Sequence, residues 1–83
     1  MKPLHSTQDF LDLAAAGASS AAASRACREG NYSTPRRVTL PGDLVGWEFE
    51  VWSQRGTQWT FTIALDETNR RYQVCSRLVP KDT

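Results

Sequence analysis

Between Trp47 and Leu78 the large apolar residues keep to one parity along each run, and this alternation is the tightest constraint the chain places on its own fold. In Trp47 to Ser53 they are odd-numbered (Trp47, Phe49 and Val51), and in Thr57 to Leu65 they are odd again (Trp59, Phe61, Ile63 and Leu65). Successive side chains on a strand point to opposite faces, so each run reads as a strand with one apolar face. Odd must face odd across the first hairpin. The three-residue loop Gln54-Arg55-Gly56 meets that condition, with Gly56 where positive φ is needed. It pairs Val51 with Trp59, Phe49 with Phe61 and Trp47 with Ile63. Tyr72, Val74 and Leu78 are even-numbered, so the second hairpin must switch parity. The four-residue loop Glu67-Thr68-Asn69-Arg70 does so, pairing Leu65 with Tyr72, Ile63 with Val74 and Trp59 with Leu78. All of these residues are expected on the buried face.

A three-stranded sheet with such a face needs a covering layer. The first thirty residues contain no Val, Ile, Tyr or Trp and are rich in alanine, which favours helix. Ser6 with Asp9 resembles a capping box, and Phe10, Leu11, Leu13 and Ala14 form a stripe, which predicts a first helix from about Thr7 to Ala16. Gly17 is expected to end it in a left-handed conformation. Ser19 or Ser20 then caps a second helix over Ala21 to Glu29, closed by Gly30. The alternative is one helix running through Gly17 at a cost of about 1 kcal/mol relative to Ala. Small alanines let a helix lie close to large sheet aromatics.

The expected architecture is a single α+β domain: one or two Ala-rich helices on one face of an antiparallel meander of three strands, or four. Residues 1–6 are expected to fray, 7–30 to be helical, and 31–46 to connect, with Val38 to Leu40 as a candidate short strand. Residues 47–79 form the meander, and 80–83 a tail.

Ten Lys and Arg against nine Asp and Glu leave a net charge of +1, so no overall field draws the chain to nucleic acid or to an anionic membrane. No run of about 18 apolar residues offers a membrane span. Asp9 and Asp12 interrupt what would be the apolar core of an export signal, so the expected location is the cytoplasm, with Cys27 and Cys75 as free thiols; one disulfide across a long loop is the alternative.

The outward face of the meander carries Glu48, Glu50 and Trp52 on its first strand, and Gln58, Thr60, Thr62 and Ala64 in the centre. The last strand adds Arg71, Gln73, Cys75, Arg77 and Val79. Acid lies on one edge and base on the other. Trp52 breaks the alternation, and an outward Trp is typical of binding hot spots; packing over the hairpin end is its structural alternative. The candidate partner-binding set is Trp52, Glu48, Glu50, Arg71 and Arg77.

Catalytic chemistry has little to build on. His5 is the sole histidine, the two cysteines stand far from metal-ligand spacing, and no phosphate loop follows a strand, so no cofactor or metal is expected.

The segment GASSAAASRACREG, Gly17 to Gly30, resembles the turn and second helix of a helix-turn-helix of the lac-repressor family, through Gly17, Ser19, Ser24 and Arg25. The resemblance implies DNA contacts at Ser19, Ser20, Ser24 and Arg28, with Arg25, Arg36 and Arg37 available to phosphate. Ala18, Ala23 and Ala26 stand where that family has larger residues locking the helices.

The expected function is non-catalytic binding of a protein partner, as an inhibitor, adaptor or regulator of the kind carried by phages and other mobile elements. Edge strands and an exposed aromatic would equally suit a homodimer. The alternative is a DNA-binding regulator using residues 9–30.

Overall fold

The computed structural model describes residues 4–80, so most of the expected tail lies outside the described residues. Helices α1 (Thr7–Gly17) and α2 (Ala21–Glu29) precede β1 (Asn31–Tyr32), β2 (Arg36–Leu40), β3 (Leu44–Trp52), β4 (Gln58–Asp66) and β5 (Arg71–Leu78). This is the expected α+β order, with two helices rather than one.

The helix ends are set by local chemistry. Asp9 N–H donates to Ser6 Oγ at 3.3 Å, while the Asp9 carboxylate accepts from the N–H groups of Ser6 (3.2 Å) and His5 (3.0 Å), so Asp does the reciprocal work usual for Glu. Two residues of the segment expected to fray are thus held in the cap, and Leu4 packs against the core. At α2, Ser20 Oγ accepts from Ala23 N–H at 3.1 Å.

Gly17 is the last residue of α1 and does not have positive φ, contrary to expectation; the helix ends at Ala18 in an extended conformation. Its role is space, because a Cβ there would stand 2.6 Å from Cβ of Val74 on β5. Gly30 is likewise extended, at φ −95° and ψ −165°. A Cβ at Gly30 would overlap the carbonyl oxygen of Trp52. Both glycines let the helical layer touch the sheet.

The meander has the predicted registers. Val51 faces Trp59, Phe49 faces Phe61 and Trp47 faces Ile63; Leu65 faces Tyr72, Ile63 faces Val74 and Trp59 faces Leu78. Gly56 has φ +88° in the three-residue loop. The residues expected to connect are largely strand. β2 pairs with β3 from Arg36–Glu48 to Leu40–Leu44, and β1 pairs Asn31 with Trp52 and Tyr32 with Val51. The sheet therefore has five strands, and β3 is an inner strand rather than an edge.

The core lies between the helices and one face of the sheet. Leu11, Ala14, Ala15, Ala23, Ala26 and Cys27 meet Phe49, Val51, Trp59, Phe61 and Ile63. The Phe49 and Phe61 rings stack at 5.7 Å, and Phe10 closes over Trp47 at 5.5 Å. Burying each of the large core side chains contributes about 1.5–3 kcal/mol.

Leu78 departs from the expected face list: it is 57% exposed. α1 ends over Val74 and Ser19 reaches Ser76, so the last residue of β5 runs on beyond the helical layer.

Candidate functional site

Both helices pack on the same face of the sheet, and the opposite face carries no covering element among the described residues. That open face displays Arg36, Val38 and Leu40 on β2, the even residues from Leu44 to Trp52 on β3 and from Gln58 to Asp66 on β4, and the odd residues from Arg71 to Arg77 on β5. All five expected contact residues, Trp52, Glu48, Glu50, Arg71 and Arg77, stand on it.

Its charges are arranged differently from expectation. The guanidinium of Arg36 bonds Glu48 and reaches Glu50 at 3.4 Å, so the acidic edge foreseen from β3 alone is countered by β2. Glu50 also accepts from Ser33 Oγ at 2.9 Å, while its own N–H donates back to Ser33 Oγ at 2.9 Å. The Ser33 hydroxyl, seconded by Arg36, holds the Glu50 carboxyl below its ordinary range. On β4, the side chain and N–H of Asn69 lower the Asp66 carboxyl, with Arg71 at 3.8 Å adding attraction. Arg77 stands across from Thr60 and enters no ion pair among the described residues.

Trp52 is half-buried, between Asn31 on β1 and Gln58 on β4. Beyond Gln58 lies Val79, whose N–H donates to the Gln58 carbonyl at 2.9 Å. The opposite end of the open face is apolar: Leu40 lies over Gly46, with its Cδ1 2.5 Å from where a Cβ would stand, and Leu44 is exposed. Sequence reasoning missed this second apolar end together with Ser33 and the place of Arg36. The signal was the even parity of Arg36, Val38 and Leu40 before the turn Pro41-Gly42-Asp43 and of Leu44 after it.

The DNA-contact candidates are dispersed. Ser24 Oγ donates to the Ala15 carbonyl at 2.8 Å, Ser20 caps α2, and Ser19 is tied to Ser76 through its N–H (3.1 Å) and hydroxyl (2.8 Å). Arg25 and Arg28 are exposed on α2, Arg36 lies across the sheet on the open face, and Arg37 is in register with Trp47 on the helix side. The four arginines do not form one patch.

Cys27 is buried in α2 and burial pushes its thiol up to about 11; Cys75 is exposed on the open face. Among the described residues, no group of three or more His, Cys, Asp and Glu side chains is placed to hold a metal ion. Two grooves flank the helices. One, of about 530 Å³, lies between α2 and the β3–β4 loop above Trp59; the other, of about 410 Å³, lies beside α1 at the start of β5 and is lined chiefly by apolar groups. No helix among the described residues is long and apolar enough to cross a membrane.

Compared with protein-family models, curated proteins and solved structures, the chain shows no match.

Proposed function

We propose that the protein is a non-catalytic module that binds a protein partner through the open face of its sheet. The observation that carries this reading is the uncovered face itself, with apolar residues at each end and an ordered charge network between them. Leu40 over Gly46 and the exposed Leu44 form one patch, and Trp52 and Val79 stand at the other end on either side of Gln58. Interfaces of this kind use apolar anchors for affinity and a polar surround for register. Glu50, fixed in place by Ser33 and Arg36, is pre-organised to meet a donor at little further entropic cost.

The chemistry available fits a binder better than an enzyme. The buried Cys27 thiol stays protonated at neutral pH, and among the described residues Cys75 has no neighbouring base on the open face. Two free thiols fit a reducing, cytoplasmic setting, and the role is that of an inhibitor, adaptor or regulator. Duplex DNA is the less favoured partner, since the three serines are spent on caps and helix–sheet contacts.

The test is affinity purification with the wild type beside Trp52→Ala and Leu44→Asp, each checked for unchanged melting. The expected result is a partner held by the wild type and lost by at least one variant. Partners held equally by all three would overturn the assignment of this face. A steep loss of random-duplex affinity with rising salt would overturn the choice of partner class.

A further inference from the structure

The ladder geometry of β5 identifies a second surface. In an antiparallel pair, a residue's N–H and C=O point to the same side, and alternate residues serve alternate neighbours. Val79 N–H donates to Gln58 O, so the odd residues of β5 face β4. The N–H and C=O groups of Tyr72, Val74, Ser76 and Leu78 therefore point away from the sheet, and among the described residues no backbone partner meets them.

Exposed edges are usually blunted by prolines, lysines, bulges or a covering element. β5 has no proline, lysine or bulge along its eight residues, its two charges, Arg71 and Arg77, stand near its ends, and its pairing with β4 runs without interruption. Its last core-side residue, Leu78, is 57% exposed. At the other end of the same edge, the groove of about 410 Å³ beside α1 is lined by the apolar side chains of Leu4, Leu13, Ala16 and Tyr72 together with Asp9, Asp12, Arg70 and Arg71. An unpaired edge thus has an apolar knob at one end and a chiefly apolar groove at the other.

We infer that two copies of this chain join edge to edge through β5, antiparallel and centred on Cys75, into one continuous sheet. A two-fold axis at Cys75 sets Val74 opposite Ser76 of the second copy and Tyr72 opposite its Leu78. All the outward N–H and C=O groups are then paired. Leu78 of each copy enters the other's groove beside Tyr72, removing the exposed leucine and filling the groove in one step.

Neighbouring registers do worse. Centring on Val74 sets Arg71 directly opposite Arg77, a like-charge pair. Centring on Ser76 brings Leu78 against Val74, which Gly17 already covers. The favoured register instead sets Gln73 opposite Arg77. It also faces Cys75 with its own copy in a non-hydrogen-bonded pair, where Cα atoms lie about 4.5 Å apart, within the span of a disulfide. The pairing uses the strand edge and leaves the open face free.

Sedimentation equilibrium of the reduced protein should give twice the chain mass of 9.3 kDa. Leu78→Ala, at an exposed position, should keep the melting temperature of the monomer fold and raise the dimer dissociation constant by about tenfold or more, since each copy loses the side chain that fills the other's groove. Treating the wild type with diamide should trap a Cys75-linked dimer that Cys75→Ser does not give. A monomer at every soluble concentration would overturn the inference. So would a dimer that yields no Cys75 cross-link, because its contact would lie elsewhere.

Discussion

Gly30→Ala tests how closely the helical layer is fitted to the sheet. At φ −95° the backbone of Gly30 is open to any residue, so the methyl group alone would stabilise by about 0.4–1 kcal/mol through the unfolded chain. Tertiary structure reverses that sign. The new Cβ would overlap the Trp52 carbonyl oxygen and stand 2.9 Å from both the Trp52 carbonyl carbon and the Ala26 oxygen. These are backbone atoms that cannot swing aside, so α2 and β3 must part by about 1 Å or more to restore normal contact. The separation falls on the Gly30 N–H bond to Ala26 O (2.9 Å) and on the pairing of Asn31 and Tyr32 with Trp52 and Val51. At about 1 kcal/mol for each of these hydrogen bonds, the loss comes to about 2–4 kcal/mol, a large share of the roughly 5–15 kcal/mol typical of a domain. Urea unfolding should show this loss with an unchanged m-value, and the melting temperature should drop by roughly 10–20 °C. Gly56→Ala is the contrast: nothing lies within 4 Å of its Cβ, and at φ +88° the cost is backbone strain alone, about 1 kcal/mol. A Gly30→Ala protein as stable as the wild type would refute the close-approach account.

Three further outcomes are expected. The carboxyls of Glu50 and Asp66 are depressed in the folded state, so their contribution is present above the ordinary carboxylate values and fades as pH falls through the folded ones. In Ser33→Ala the Glu50 carboxyl should titrate higher, as followed by side-chain carbon NMR shifts, and an unmoved titration would remove Ser33 as the main cause. Ellman's reagent on the reduced native protein should modify Cys75 promptly and Cys27 only on unfolding; two equally fast thiols would contradict the burial of Cys27. Ser20→Ala should lower stability by about 1 kcal/mol through loss of the α2 cap, and a variant that melts like the wild type would show the cap to be idle.

What the sequence determined by itself is the meander and its registers, the helical first half with its break at Gly17 left open, and the loop glycine at 56. These follow from properties carried along the chain: side-chain parity has a period of two, loop length sets whether parity is kept or switched, and a capping side chain acts on N–H groups three residues away. β1 and the first two residues of β2, Arg36 and Arg37, escaped notice because such short runs carry too little alternation to mark a strand; they form because β3 offers an edge to pair with. That Trp52, Glu48, Glu50, Arg71 and Arg77 share the open face was legible in the same way, since they take the even positions of β3 and, after the parity switch, the odd positions of β5. Only tertiary structure decided what those residues meet. Arg36 neutralises the acidic pair from a strand thirteen residues upstream of Phe49, and Trp52 is half-buried beside β1. Gly17 and Gly30 show the same division. Their positions at the helix ends can be read from the chain, but the reason no side chain fits there lies in Val74 and Trp52, which are distant in sequence and adjacent only once the layers have closed.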